Sequence, residues 1–277
     1  MIRRLERGAA YALLVIIAIV GFAPFVYLLV LSGKRRIQIL AEVPPTLDFD
    51  WEIVTRNYTE VIQSQGMLGF ALNSVIVVGI ATVISLIIGV PAAYAFSRLR
   101  FPGRDTWAST ILSFRFMPPV AVAIPIFLMV RTVGLGNSYP GLILPYVAFT
   151  LPLIVWIMIG FFDEIPREID DAALVDGCGR VEVLWRVLLP LARPGMIVAA
   201  IFGAIFVWNE FLVALYIVNS RGLQTVTLGA ATLVSAQRPI DWNIAATVGI
   251  VTVVPIFLFS LLIQRYIVRG ITSGAVR

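Results

Sequence analysis

Histidine is absent from these 277 residues, cysteine occurs once, at Cys178, and lysine once, at Lys34. The first absence removes any imidazole general base and any His-based metal site, and a single cysteine removes any disulfide framework. A phosphate-binding loop needs Gly, four residues, Gly-Lys and then Ser or Thr, because backbone amides cradle the phosphates while the lysine pairs with them. Lys34 follows Gly33, but Leu28 stands where the first glycine belongs and Arg35 where the hydroxyl belongs. ATP hydrolysis by that route is excluded, so the chain reads as a non-enzyme. If it transports actively, the energy comes from another polypeptide or from an ion gradient.

Charge is scarce as well. Charged residues make up 13% and apolar residues 60% of the chain, against about 25% and 45–50% in a soluble domain. The mean hydropathy is +0.95, so this is an integral membrane protein. The net charge of +5 would suggest nucleic acid in a soluble chain. Here basic residues collecting in loops on the inner side of a membrane explain it, and no nucleic-acid partner is expected.

The apolar residues fall into six runs. The first, Gly8 to Gly33, follows Arg3, Arg4 and Arg7. It exceeds the ~7–15-residue core of a signal peptide and matches the ~20 residues needed to span hydrocarbon, so it reads as a retained helix. The others run from about Phe70 to Phe96, Thr106 to Val130, Tyr139 to Phe162, Met196 to Val218 and Asn243 to Ile263. The third contains Arg115, Pro118, Pro119 and Pro125, which predicts a kinked or interrupted helix. The fifth holds Glu210. Between the first two runs, Pro44, Pro45 and charges of both signs predict an exposed loop with at most a short interfacial helix. The expected fold class is an all-α membrane protein with six transmembrane helices, forming one transmembrane domain over 1–277. Its core is about 70–266, with a polar loop at 163–195 and a tail at 267–277.

An even number of spans puts both termini on one side. The segments sharing that side hold more basic residues, four of them in 163–195 (Arg167, Arg180, Arg186 and Arg193), than the segments opposite. Termini and loop are therefore expected to be cytoplasmic. Lys34, Arg35 and Arg36 run against the bias.

The loop from Asp163 to Gly195 is the one long charged segment between two strongly apolar ones. Pro166 suits a first helical turn, and Glu168, Asp170 and Asp171 place negative charge at its positive dipole end. Gly177 and Gly179 break this helix. A second begins near Arg180, with Val181, Leu184, Trp185 and Leu188 on one apolar face until Pro190 stops it. Two readings fit the pattern: a compact knob for a groove in a soluble partner, or a turn whose amphipathic half lies on the headgroups.

Asp171-Ala172-Ala173, three residues, Gly177, nine residues, Val187, one residue, Leu189-Pro190 resembles the EAA loop of permease subunits in binding-protein-dependent ABC importers. Asp171 replaces the family's usual Glu, and Val187 its usual Ile. Trp208-Asn209-Glu210-Phe211, Asp241-Trp242 and the end Gly270 to Arg277 are similar to the shorter partner of the maltose-type carbohydrate permeases. The family's usual final Lys is Arg277. The resemblance covers about Asn73 to the C-terminus and implies the type I ABC importer permease fold, with the EAA coupling loop between helices 4 and 5.

It also implies a second, homologous permease forming a heterodimer, two ATPase subunits that bind ATP and Mg, and a periplasmic or lipid-anchored solute-binding protein delivering sugar. The setting would be a bacterial or archaeal inner membrane with its lipid. This chain itself binds no cofactor. Asp171, Ala172, Ala173, Asp176, Gly177, Leu189 and Pro190 are assigned by the resemblance to ATPase coupling, and Gly274, Ala275, Val276 and Arg277 to a second ATPase contact.

Arg115 and Glu210 are ionisable residues inside apolar runs, and such residues are functional candidates because a lone charge in hydrocarbon is costly. They either pair with each other or face a wet cavity. Sugars offer hydroxyls to polar side chains and C–H faces to rings, so Asn209, Tyr146 and Phe149 are further candidates for the translocation path, with helix packing the alternative for each aromatic. Two rival functions are an ABC permease for another solute, such as a phosphorylated polyol that Arg115 would suit, and an ion-driven secondary transporter. The second usually shows inverted repeats, and none is visible between the two halves.

Overall fold

The computed structural model describes residues 2–41, 46, 48, 50–236 and 240–274. In chain order these form α1 (Ile2–Ser32), α2 (Arg36–Ala41), α3 (Trp51–Thr59), a π turn (Glu60–Ser64), α4 (Met67–Arg98) and α5 (Arg104–Ser113). A 3-10 turn (Phe114–Phe116), α6 (Pro119–Thr132), α7 (Tyr139–Asp163), α8 (Arg167–Val175), α9 (Arg180–Glu182), a π turn (Val183–Leu188) and α10 (Leu189–Leu191) follow. The chain continues through α11 (Arg193–Asn209), α12 (Leu212–Ile217), a 3-10 turn (Arg221–Leu223), α13 (Val226–Ala236) and α14 (Trp242–Gly274). Helices satisfy every backbone group within the segment, which is why apolar runs of this length adopt them.

Four described helices are long and apolar enough to cross a membrane: Ala10–Ser32 of α1, α4, α7 and Trp242–Leu262 of α14. Two bent pairs bring the number to six if each pair is one span. The α5 and α6 segments meet at 96°, the interruption that Pro118 and Pro119 predict, with Pro118 extended (φ −60°, ψ 123°). Arg180–Leu191 and α11 meet at 80°. Contrary to expectation, the chain does not break at Pro190, which sits in the first turn of α10; the bend comes at Ala192. The fifth apolar run is not continuous either. α11 ends at Asn209, and Glu210 is extended (φ −70°, ψ 130°) before α12 starts.

The chain divides into two compact units, Met1–Leu68 with Gly229–Pro255, and Gly69–Leu228 with Ile256–Arg277. In the first, the polar stretch after α1 is more folded than its composition suggests. Asp50 caps α3 by accepting from the Glu52 N–H at 2.9 Å, as a short carboxylate does at a helix start. Buried Asn57 donates to the Ser32 carbonyl at 2.8 Å, and Arg36 pairs with Asp241 at 3.0 Å. Lys34, expected in an exposed loop, is 2% exposed and donates to Thr46 Oγ1 at 2.8 Å. The long stem is covered while the ammonium keeps a polar partner.

In the second unit α7 is the central helix, with more than half of its most apolar window buried. α11 packs along it through small residues: a Cβ on Gly203 would lie 2.9 Å from Thr150 Cγ2, and one on Gly195 would collide with the Phe161 ring. Small residues at such crossings let helix backbones approach where no hydrophobic effect drives association. At the end of this unit away from residues 163–195, Asn73 of α4 donates to the carbonyls of Gly222 (2.8 Å) and Gln224 (2.9 Å) and accepts from Tyr139. Ser74 accepts from the Val226 N–H at 2.8 Å.

Candidate functional site

Two features of the second unit carry polar chemistry: the 163–195 segment and a cavity between α5, α7 and α11. α8 forms where Pro166 predicts it and is closed by glycine. The Gly177 N–H bonds to the Leu174 carbonyl at 3.1 Å and the Cys178 N–H to the Ala173 carbonyl at 3.0 Å. This is the Schellman pairing, whose turn needs a positive φ; Gly177 has φ +91° with open space where a Cβ would stand.

One side of this segment is fastened to the ends of α4 and α7. Ala173, Val183, Leu184, Leu188 and Ala192 join Tyr94, Ile154, Met158 and Phe162 in one buried cluster, with the Tyr94 and Phe162 rings edge-to-face at 6.1 Å. Polar contacts surround it. Arg98 Nε lies 2.6 Å from Asp170 Oδ2, with 5% and 12% of the side chains exposed. Arg98 Nη2 donates to the Ile165 carbonyl at 2.7 Å, Arg167 Nη2 to the Ser97 carbonyl at 3.2 Å, and Ser97 Oγ to Asp163. Tyr94 OH donates to the Arg180 carbonyl at 3.2 Å. Burial pushes the Asp170 carboxyl above the usual carboxylate range; Arg98 pulls it down, Asp171 pushes it up and Arg167 pulls it down.

The other side is open. Asp171, Ala172, Asp176, Gly177 and Pro190 are exposed, Leu189 is half-buried and Ala173 is buried. Ala173 thus seats the segment against the cluster below it. The apolar face expected from Val181, Leu184, Trp185 and Leu188 is split. Leu184 and Leu188 are buried, while Val181 is 71% and Trp185 57% exposed. The cause is the π turn, in which the Leu189 N–H bonds to the Leu184 carbonyl five residues back. A widened turn shifts the register that a 3.6-residue period assumes. With Val175, 88% exposed, these side chains form an apolar rim on a polar knob.

The cavity measures about 980 Å³ and is lined by Phe114, Arg115, Phe149, Phe202, Phe206, Asn209, Glu210 and Phe211 among others. Arg115, Asn209, Glu210 and Phe149, polar and aromatic candidates of the sequence, line this one cavity. Arg115 and Glu210 share the cavity but form no ion pair within 4 Å; the Arg115 guanidinium lies 4.1 Å above the centre of the Phe206 ring, a favourable cation–π position. Glu210 is held at the break before α12. Tyr146 OH donates to its Oε2 at 2.9 Å, and the Val213 N–H lies 3.1 Å from each carboxylate oxygen. That places a carboxylate at the positive end of a helix. Its carbonyl accepts from Thr227 at 2.8 Å. Tyr146 is not among the residues lining this cavity; it is fully buried behind Glu210 and positions it.

Sequence reasoning missed Ser97, Arg98 and Asp163, because a charge that ends an apolar run looks the same whether it faces water or a buried carboxylate. It placed Asp170 only as an acid near a helix start. Gly274 is the last residue of α14, and Ala275, Val276 and Arg277 lie outside the described residues. Among the described residues no group of three Cys, Asp or Glu side chains is placed to hold a metal ion.

Residues 85–273 match the family described as binding-protein-dependent transport system inner membrane component. Over 276 residues the chain is 35% identical to the trehalose transport system permease protein SugB of Mycobacterium tuberculosis, covering 98% of each chain. Over 268 residues it is 30% identical to the trehalose/maltose transport system permease protein MalG of Thermococcus litoralis, covering 95% of this chain and 94% of the relative. Among solved structures, a chain of a bacterial ABC transporter involved in the import of the acidic polysaccharide alginate shares the fold. Its TM-score is 0.78 at 22% identity, over 95% of this chain and 96% of that one.

Proposed function

The chain belongs to the family of binding-protein-dependent transport system inner membrane components, and from that premise we propose that it is one of two permease subunits in an ATP-driven sugar importer. Support for the sugar class comes from relatives named as trehalose and maltose permeases that match over nearly their whole length. An ion-driven secondary transporter does not accord with that membership.

In this reading a second, related permease completes the pathway, two ATPase subunits bind and hydrolyse ATP with Mg, and a solute-binding protein delivers the sugar from outside. The termini and the 163–195 segment face the cytoplasm. The observation that carries the mechanism is the two-sidedness of that segment: one face is locked to α4 and α7 by Arg98, Asp170, Ala173, Leu184 and Leu188. The other presents Asp171, Ala172, Asp176 and Gly177 with the Val175, Val181 and Trp185 rim. An exposed apolar rim outside the membrane marks a docking surface, and the ATPase is its occupant. The tail from Gly274 to Arg277 is the second contact. ATP-driven closure of the ATPases then moves the knob, and the knob moves the helices it is locked to.

The cavity supplies the passage. Five phenylalanine rings offer faces for sugar C–H groups, while Asn209, the in-plane donors of Arg115 and the carboxylate of Glu210 offer hydroxyl partners. The test is to co-express this chain with its candidate partner permease, ATPase and binding protein, purify the complex and measure which sugars stimulate ATP hydrolysis. Stimulation by a saccharide through the binding protein is expected. Stimulation only by a non-sugar solute such as a phosphorylated polyol would replace the sugar assignment.

A further inference from the structure

The contact between α8 and α4 is built as a grip. α8 is joined to α7 by the short Glu164–Pro166 link and to α9 through Gly177-Cys178-Gly179, so no chain connection ties it directly to α4. Across the gap Ala173 offers only one methyl group, a surface that can be pushed but can also slide. The polar contacts do not slide. Arg98 holds Asp170 on α8 and the Ile165 carbonyl before it, and Arg167 of α8 reaches back to the Ser97 carbonyl. The grip is therefore made from both sides, on adjacent residues of α4.

Burying such a pair is accounted for by geometry better than by stability. An apolar pair of the same volume would serve stability about as well, because desolvation offsets most of the attraction. α4 itself is 32 residues long, about 48 Å at 1.5 Å per residue. Its far end is gripped again, where Asn73 and Ser74 hold the Gly222–Val226 backbone by three hydrogen bonds of 2.8–2.9 Å.

We propose that α4 is the rod that carries motion of the 163–195 segment across the membrane to the 222–226 segment, with the Arg98–Asp170 ion pair as its inner joint. Arg98 and Asp170 are then positioning residues: they touch neither sugar nor nucleotide, and they fix how far α4 follows α8. This rests on the importer reading, because it requires an ATPase that displaces α8.

The test uses the full complex in proteoliposomes. Arg98→Gln and Asp170→Asn should leave basal ATP hydrolysis intact and weaken its stimulation by the sugar-loaded binding protein, within the ~5- to 150-fold range of ordinary coupling between sites. The exchange R98D/D170R, which restores an opposite pair, should recover most of the loss. A purely structural role would lower the amount of complex and leave the stimulation of each assembled complex unchanged. Single variants stimulated like the unaltered complex, or an exchange no better than the singles, would overturn the joint. Should the variants fail to assemble, spin labels at Arg100 and Glu168 in a Cys178→Ser background decide the question. A rigid joint keeps their separation the same with and without ATP, and a changed separation overturns it. An unaltered complex that shows no stimulation at all would refute the importer reading and the joint with it.

Discussion

The Tyr146 hydroxyl, fully buried on α7, donates a 2.9 Å hydrogen bond to the Glu210 carboxylate at the break between α11 and α12. A charge that composition flags as a substrate ligand is thereby also a helix cap. Truncating the donor leaves a partly buried carboxylate short of a partner, and hydrogen bonds to charged groups are worth about 1.5–3 kcal/mol. Tyr146→Phe is expected to lower the thermal unfolding temperature in detergent. Glu210→Gln, which can still accept from Val213, should cost less than Glu210→Ala. Equal losses for the two Glu210 variants would mean the cap does not hold α12.

Gly177 closes α8 with φ +91° in open space, so the constraint there is backbone strain and not crowding. An L-residue in that region costs about 1–2 kcal/mol, and Asn tolerates it best. The expected order of transport activity is Gly177, then G177N, then G177A and G177V, with the knob loosened accordingly. If G177V transported as well as the unaltered chain, the Schellman turn would be dispensable. The bulkier Gly177→Trp is expected to uncouple ATP hydrolysis from transport.

At the α7–α11 crossing, a Cβ on Gly195 would meet three atoms of Phe161, the Cβ and two ring carbons. That is the stem and near edge of the side chain, which cannot swing away as a flexible tip could. Overpacking of this kind costs about 1–3 kcal/mol. Gly195→Ala should therefore destabilise the folded chain, and the double variant G195A/F161A should recover part of the loss. Circular dichroism melts of the four proteins check it, and strictly additive effects would count against the contact.

The loop helix, its glycine stop, the break before Pro119 and the four unbroken spans were legible in the sequence, because each rests on local chemistry: proline without an N–H, glycine at positive φ, apolar length. What was not legible depends on widened turns and long-range partners. Nothing in Val183–Leu188 announces a π turn, yet it turns Trp185 outward. Nothing near Glu210 resembles a helix breaker. Arg98 and Asp170 are 72 positions apart by number, so their pairing has no signature in either neighbourhood.

Asp170 also sets a pH dependence. Burial raises its pKa in the folded chain, opposed by Arg98 and Arg167 and reinforced by Asp171. A raised folded-state pKa means the native state holds this proton more firmly. The associated stability is fully present below the unfolded value, about 3.9 for Asp, and is lost as pH rises through the folded value. D170N lacks the titration. The unfolding temperature of the unaltered chain minus that of D170N should therefore grow as pH falls through the window that opens above the ordinary carboxylate range. A difference that shrinks on acidification would reverse the sign assigned to burial.

The most direct measurement is ATP hydrolysis by the reconstituted complex, with sugar and binding protein present, comparing this chain with a variant whose outer knob face is changed by Asp171→Lys and Trp185→Ala. The expected result is sugar-dependent hydrolysis in the first and hydrolysis indifferent to sugar, without uptake, in the second. Sugar uptake by vesicles holding this chain with no ATPase, or full coupling in the altered complex, would contradict a permease worked through that face.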